Sequence, residues 1–314
     1  MDFSFSRRHL FFLMCGLLAV GNLLVMNDVA TLWDGAEARF VWMSLFDGPR
    51  GYLPFRVGAA SSGGEVREML LRLPGVLLLL MAAAGVYGLV YPVLGRAVTG
   101  WWLLVLATSL LIPQLAKVAS GDIWSFAVQW LALAALLRYL KQPTFHWRLL
   151  CYALVVAVVW VDPLSGAVFF VLFPAWLAWK HPQGRHLWGL QPWLAVLFAG
   201  MLLWASVWLN WMRTGFYFGW SPGRYLLFNL LAILPFLGFA AAGVVDAISK
   251  MRRSEELSLI VVAWIVVALL AQSLLLQAAL AFLIAKHLRG YFDANYPYRS
   301  LVRAGAILHL LLVF

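Results

Sequence analysis

Charge is what this chain has least of. Only 11% of its 314 residues are Asp, Glu, Lys or Arg, against roughly 25% in soluble domains, while 64% are hydrophobic. That excludes a protein whose surface faces water on all sides. Cysteine is nearly absent as well. Cys15 and Cys151 each lie within an apolar block, where two isolated thiols make neither a disulfide framework nor a metal site and read as small core residues. No Walker loop, Gly-rich dinucleotide fingerprint, HExxH or G-x-S-x-G elbow occurs. An enzyme built on this chain therefore takes a membrane-borne substrate rather than a nucleotide held in a soluble domain. No run of five like charges occurs either, so the formal charge of +10 does not point to nucleic acid as a partner.

What the chain does have is a succession of apolar blocks, each about long enough to cross a ~30 Å hydrocarbon layer as a helix. Candidate spans are 10–26, 73–95, 101–115, 122–140, 147–161, 164–180, 190–211, 225–247 and 257–276. A further hydrophobic segment covers 277–288, and a last span begins at Leu301. The expected fold class is all-α: a polytopic integral membrane protein of about ten or eleven transmembrane helices, forming a single transmembrane domain over 1–314. The 17 Trp fit the aromatic belts at the two membrane–water interfaces. No A-x-A-like site closes the first block, so it reads as a retained span. The sequence stops inside an apolar run, Leu310-Leu311-Leu312-Val313-Phe314, and a C-terminal continuation is expected.

Short loops on one side carry the Lys and Arg excess, among them Arg7, Arg8, Arg96, Arg138, Lys141 and Lys250. By the positive-inside rule the N-terminus is cytoplasmic. The one long loop, about 27–72, then lies on the exoplasmic side and holds two short interfacial helices, about 34–46 and 64–71. Loops of this length within a compact fold are more often functional than idle.

Acidic groups are few, and those on the outer side are candidates for chemistry. Asp34 and Glu37 stand three apart and share a helix face. One could serve as a general base toward an acceptor hydroxyl, or the two could hold a divalent metal; equally, Asp-x-x-Glu opening a helix is a capping-box variant. Asp122, before an apolar run, has the same two readings. The outer cations Arg39, Arg72, Lys117, Arg213 and Arg224 match phosphate oxygens in geometry and charge, and singly each could also snorkel to membrane lipid headgroups.

Several of these residues stand in an ordered set of motifs over about residues 1–250. Leu32-Trp33-Asp34-Gly35-Ala36-Glu37-Ala38-Arg39-Phe40 resembles the first-loop signature of GT-C superfamily glycosyltransferases, in the protein O-mannosyltransferase and aminoarabinose-transferase branch. Arg72-Leu73-Pro74-Gly75 resembles that family's R-L-P-S element, Lys117-Val118-Ala119-Ser120-Gly121-Asp122 its second acidic signature, and Leu234-Pro235-Phe236 its L-P-W. Asp162-Pro163-Leu164-Ser165-Gly166 falls where the family often has K-G-P-x-G.

The resemblance implies a bacterial inner-membrane transferase with a periplasmic site. It would move a monosaccharide from a polyprenyl-phosphate donor to an exoplasmic acceptor. A first-loop acid (Asp34 or Glu37) would be the base, Asp122 would aid the acceptor or a divalent metal, and Arg72, Lys117 and Arg224, with Arg39 and Arg213, would hold the phosphate. Two departures stand out. Glu37 aligns with the second acid of the family's Asp-Glu pair, which puts Ala36 at the base position, and Asp162 replaces the family's Lys. These motivate the alternative: a catalytically inactive, GT-C-derived structural or lipid-binding subunit with protein partners in a larger membrane complex.

Overall fold

The computed structural model describes residues 21, 68–118, 121–162, 165–180, 185, 222–291 and 295–313. The expected first span, the loop through residue 67 and the 190–211 span lie outside the described residues, and with them Asp34, Glu37, Arg39 and Arg213. Among the described residues the chain is helical without strands: α1 (Glu68–Leu94), α2 (Arg96–Thr108), α3 (Leu111–Ala116), α4 (Asp122–Lys141), α5 (Phe145–Val161), α6 (Ser165–Lys180), α7 (Pro222–Ala232), α8 (Leu237–Arg252), α9 (Glu256–Leu270), α10 (Leu275–Gly290) and α11 (Arg299–Val313). Three stretches, Arg72–Leu94, Asp122–Lys141 and Leu234–Arg252, are long and apolar enough to cross a membrane. Phe145–Val159, Val168–Lys180 and Glu256–Leu270 are shorter apolar helices. Large side chains such as Met81, Leu149, Leu172 and Leu311 are exposed on the bundle surface, as lipid-facing residues are. The protein is an integral membrane protein.

Helix ends follow local chemistry. Gly95 separates α1 from α2 at φ 83°, a left-handed backbone that suits glycine because it has no Cβ to clash. The sequence pattern predicts one span over 101–115, but the structure bends after Thr108: Ser109 takes an extended conformation and α3 follows as a separate short helix. The expected 225–247 span is likewise divided. Pro235 sits in a 3₁₀ turn, Leu234–Phe236, where the missing N–H breaks the helical ladder. The segment 277–288 lies within a full helix, α10, set off from α9 by Gln272 at φ 49°.

Neighbours fix the directions. Gly75 packs on Ile123 and Gly85 on Leu131, so α1 and α4 run parallel. Asp162 meets Ser125 while Arg138 lies over Trp147, so α5 runs back along α4. One end of the bundle thus gathers the starts of α1, α4, α6, α7 and α10, and is called the Asp122 end here. The opposite end carries Lys141, Lys180 and Lys250.

The core is aromatic. Trp102 meets Trp130, Trp264 and Phe282 edge-on, with ring centroids 5.6, 5.9 and 5.8 Å away, the geometry that sets a positive ring edge against a negative face. Trp102 Nε1 donates to Ala278 O at 2.8 Å, and Trp264 Nε1 to Leu275 O at 3.0 Å. These three tryptophans are buried, so they belong to the core and not to the interfacial belts that the sequence suggests. Cys151 is buried, as expected.

Candidate functional site

Sequence-marked residues converge at the Asp122 end. Asp122 occupies the first turn of α4 and is 2% exposed, where partial positive charge on the helix N-terminus favours a carboxylate. Arg72 lies in the second turn of the adjacent parallel helix α1, three residues before Gly75, itself against Ile123, and is also 2% exposed. Lys117 closes α3, five residues before Asp122. Arg224 lies in the first turn of α7 and is exposed. Tyr225, beside it, ties that turn inward: its hydroxyl donates to Ser273 O at 2.9 Å, with Ala268 O at 3.1 Å. Of the candidate residues within the described part, one acid and three cations share this end.

Below them lies a network that motif reasoning missed. Asp162 ends α5 and is 3% exposed. Its Oδ2 accepts from Ser125 Oγ at 2.6 Å, Ser165 Oγ at 2.7 Å and Gln129 Nε2 at 2.8 Å. Its Oδ1 accepts from Ser165 N at 3.0 Å. Gln129 Nε2 also donates to Ser125 Oγ at 2.7 Å, and Ser273 Oγ donates to Gln129 Oε1 at 2.5 Å. Leu275 N completes the chain onto Ser273 Oγ at 3.1 Å. A buried carboxylate is tolerated when donors surround it, and here four do.

Gly166 leaves the room this requires, since a Cβ there would come within 2.5 Å of Val158 Cγ1 and 3.3 Å of Gln129 Nε2. A second group adjoins: Gln277 Nε2 donates to both Asn229 O and Asn229 Oδ1 at 2.8 Å. The available signal was a set of lone polar residues in apolar helices, with Ser125 and Gln129 four apart on one face of α4.

At the opposite end Asp246 Oδ2 receives Lys250 Nζ at 2.9 Å, with His287 Nε2 at 3.6 Å and Lys286 Nζ at 3.8 Å. Tyr298 OH donates to Asp246 Oδ1 at 3.1 Å. His287 Nδ1 pairs with Tyr296 OH at 2.8 Å. This cluster joins α8, α10 and the α10–α11 connection, and puts Lys286 and Arg289 at the Lys141 end.

Among the described residues no three His, Cys, Asp or Glu side chains converge on a point. Among the described residues a divalent metal at the Asp122 end would find Asp122 as its carboxylate donor, since the Asp162 oxygens already accept four hydrogen bonds.

No family model matches the chain, and no curated protein matches it in sequence. Solved structures do match in fold. The crystal structure of ArnT from Cupriavidus metallidurans bound to undecaprenyl phosphate superposes with a TM-score of 0.64 at 15% identity, covering 96% of this chain and 70% of that one. The Archaeoglobus fulgidus oligosaccharyltransferase AglB superposes in its apo form with a TM-score of 0.54 at 13% identity. In complex with an inhibitory peptide and a dolichol-phosphate it gives 0.53 at 13%. Both AglB structures cover 99% of this chain and 55% of theirs, so the chain spans about half of AglB. At these identities the likeness is one of fold: the chain has a GT-C-like fold, as the ordered motifs imply.

Proposed function

We propose that the chain is a membrane glycosyltransferase that moves a monosaccharide from a polyprenyl-phosphate donor to an exoplasmic acceptor, with its site at the Asp122 end. The observation that carries this reading is the burial of Arg72 and Asp122 within the first two turns of adjacent parallel helices, with Lys117 and Arg224 at the same end of a GT-C-like bundle. In support, the ArnT structure is bound to undecaprenyl phosphate and one AglB structure is in complex with a dolichol-phosphate.

The chemistry is an inverting displacement. The acceptor hydroxyl oxygen bonds to the anomeric carbon as the bond from that carbon to the donor phosphate oxygen breaks. The hydroxyl proton passes to a carboxylate, Asp34 or Glu37 of the first loop, and the polyprenyl phosphate leaves. Arg72, Lys117, Arg224, Arg39 and Arg213 offset the charge developing on that phosphate. Asp122 holds the acceptor or a divalent metal, which would supply Lewis-acid polarisation. The membrane is a bacterial inner membrane and the site is periplasmic. The cations gathered at the opposite end, including Lys141, Lys180, Lys250, Lys286 and Arg289, support that orientation.

The alternative, an inactive lipid-binding or structural subunit in a complex with protein partners, is favoured by Ala36 standing where the family has its acid. One experiment separates the two. The protein is purified gently from its own membrane, and everything bound to it is identified by mass spectrometry. The lipid found is then supplied in a transfer assay to wild type and to Asp34→Ala/Glu37→Ala. A bound polyprenyl-phosphate sugar, with transfer lost in the double variant, supports the enzyme. A fixed set of protein subunits without sugar lipid or transfer overturns it.

A further inference from the structure

Asp122, Ser125 and Gln129 lie at positions i, i+3 and i+7 of α4 and so share one face of that helix. Ser125 and Gln129 are both held by the Asp162 carboxylate, at 2.6 and 2.8 Å. On its other side Gln129 accepts from Ser273, whose carbonyl accepts from Tyr225, the neighbour of Arg224. The chain of bonds therefore runs from the turn that carries Asp122 to the turn that carries Arg224. It crosses two helix breaks on the way, α5–α6 at Asp162 and α9–α10 at Ser273.

We propose that Asp162 is a positioning residue. Through Ser125 and Gln129 it fixes the rotation of the first turns of α4 and so the direction of Asp122, and through Ser273 and Tyr225 it holds the Arg224 turn in the same frame. This rests on the site proposed above only for its purpose; the mechanical claim stands on the bonds. A helix start is free to fray because its first N–H groups lack intrahelical partners. The start of α4 has no side-chain cap at Gly121. Asp162 instead grips two side chains of that face, Ser125 and Gln129, one and two turns further in.

The test uses the full chain in detergent, with Cys15→Ser and Cys151→Ser as background and Asp122→Cys as reporter. Asp122 is 2% exposed, so maleimide labels the reporter slowly. Asp162→Asn is isosteric but turns one acceptor oxygen into a donor, which meets Ser165 N–H at the Oδ1 position or three donors at the Oδ2 position. It raises the labelling rate about tenfold or more as the turn opens. Adding Gln129→Glu returns one carboxylate and one amide to the same pair of positions and brings the rate back. A second reporter, Ala134→Cys, at a fully buried site deeper in α4, stays slow throughout.

Should Asp162→Asn fail to fold, Ser125→Ala, which removes a single donor, carries the test in its place. An unchanged reporter in a folded variant overturns the proposal. So does a rise at both reporters, which would make Asp162 a general stabiliser of the helix. With Asp122 restored, Asp162→Asn lowers kcat for transfer with little change in KM for the lipid donor. A wild type that neither transfers sugar nor binds undecaprenyl phosphate would sink the enzyme reading and leave the labelling result standing.

Discussion

In the proposed site Asp122 and Arg224 stand in two different environments, and their substitutions should separate accordingly. Asp122 is buried at a helix start, so Asp122→Asn removes charge without changing shape. We expect transfer to fall about a hundredfold, as loss of an orienting contact at the reacting centre does, and melting to fall as well, because the charge is lost from a helix start that favours it. Arg224 is exposed. Arg224→Ala should leave melting unchanged and raise KM for the donor about tenfold, since a hydrogen bond to a charged group is worth roughly 1.5–3 kcal/mol. Steady-state kinetics on the isolated lipid donor read both. Residues such as Asp122, Arg72 and Lys117 were legible because a charge in an apolar sequence is conspicuous and expensive. Ser125, Gln129 and Ser273 were not, because a neutral polar residue in a helix carries no sign of its partner. Gln129 and Ser273 are 144 residues apart in the chain, and only the folded bundle pairs them.

Among elements, α8 and α11 approach closely at a pair of glycines. A Cβ built on Gly238 would stand 2.8 Å from Val302 Cα and Leu301 O, and one on Gly305 would overlap the Gly238 backbone. Gly238→Val has no way to relax except by moving α11 away, and overpacking of this kind costs about 1–3 kcal/mol. Thermal unfolding should fall by several degrees, and Gly305→Val should do the same.

The linker before α11 has a pH limit. Burial first, and then the nearby Asp246 charge, pushes the Tyr296 phenol up from 10.0 to about 12. A raised phenol contributes its full stability below pH 10 and loses it as pH climbs toward 12. The melting advantage of wild type over Tyr296→Phe should be constant below pH 10 and shrink above it. Element existence was readable from apolar runs, and α4, α5 and α6 keep their sequence bounds within two residues. The breaks at Ser109 and Leu234 were not, because apolar residues flank each closely and hydropathy does not register a turn, and the break between α9 and α10 falls at Gln272, a few residues before the expected boundary at 276.

For the molecule as a whole, the asymmetry of charge makes a topological prediction. In intact spheroplasts carrying the same cysteine-free background, a membrane-impermeant maleimide should label Lys117→Cys and spare Arg253→Cys; permeabilised cells should label both. The reverse pattern would put the site in the cytoplasm. The whole was legible in the sequence to the level of an all-helical membrane bundle with a GT-C-like order of motifs. The way its helices cross, and hence which polar residues meet, was not, since an apolar helix with no polar stripe does not announce which face is inward.

Helix length has a further effect on the surrounding lipid. The lipid-contacting pair α5 and α6 have 17 and 16 residues, about 24–26 Å at 1.5 Å per residue, against a hydrocarbon layer of about 30 Å. Acyl chains beside that pair must compress or disorder to meet it, at a fraction of a kcal/mol per ångström. The bilayer should therefore thin on this flank, and a long isoprenoid, poorly ordered already, should fit the thinned patch better than a straight saturated chain does. Placed in vesicles of stepped thickness, the protein should work faster in the thin ones and gather, in mixed membranes, where the lipid tails are short.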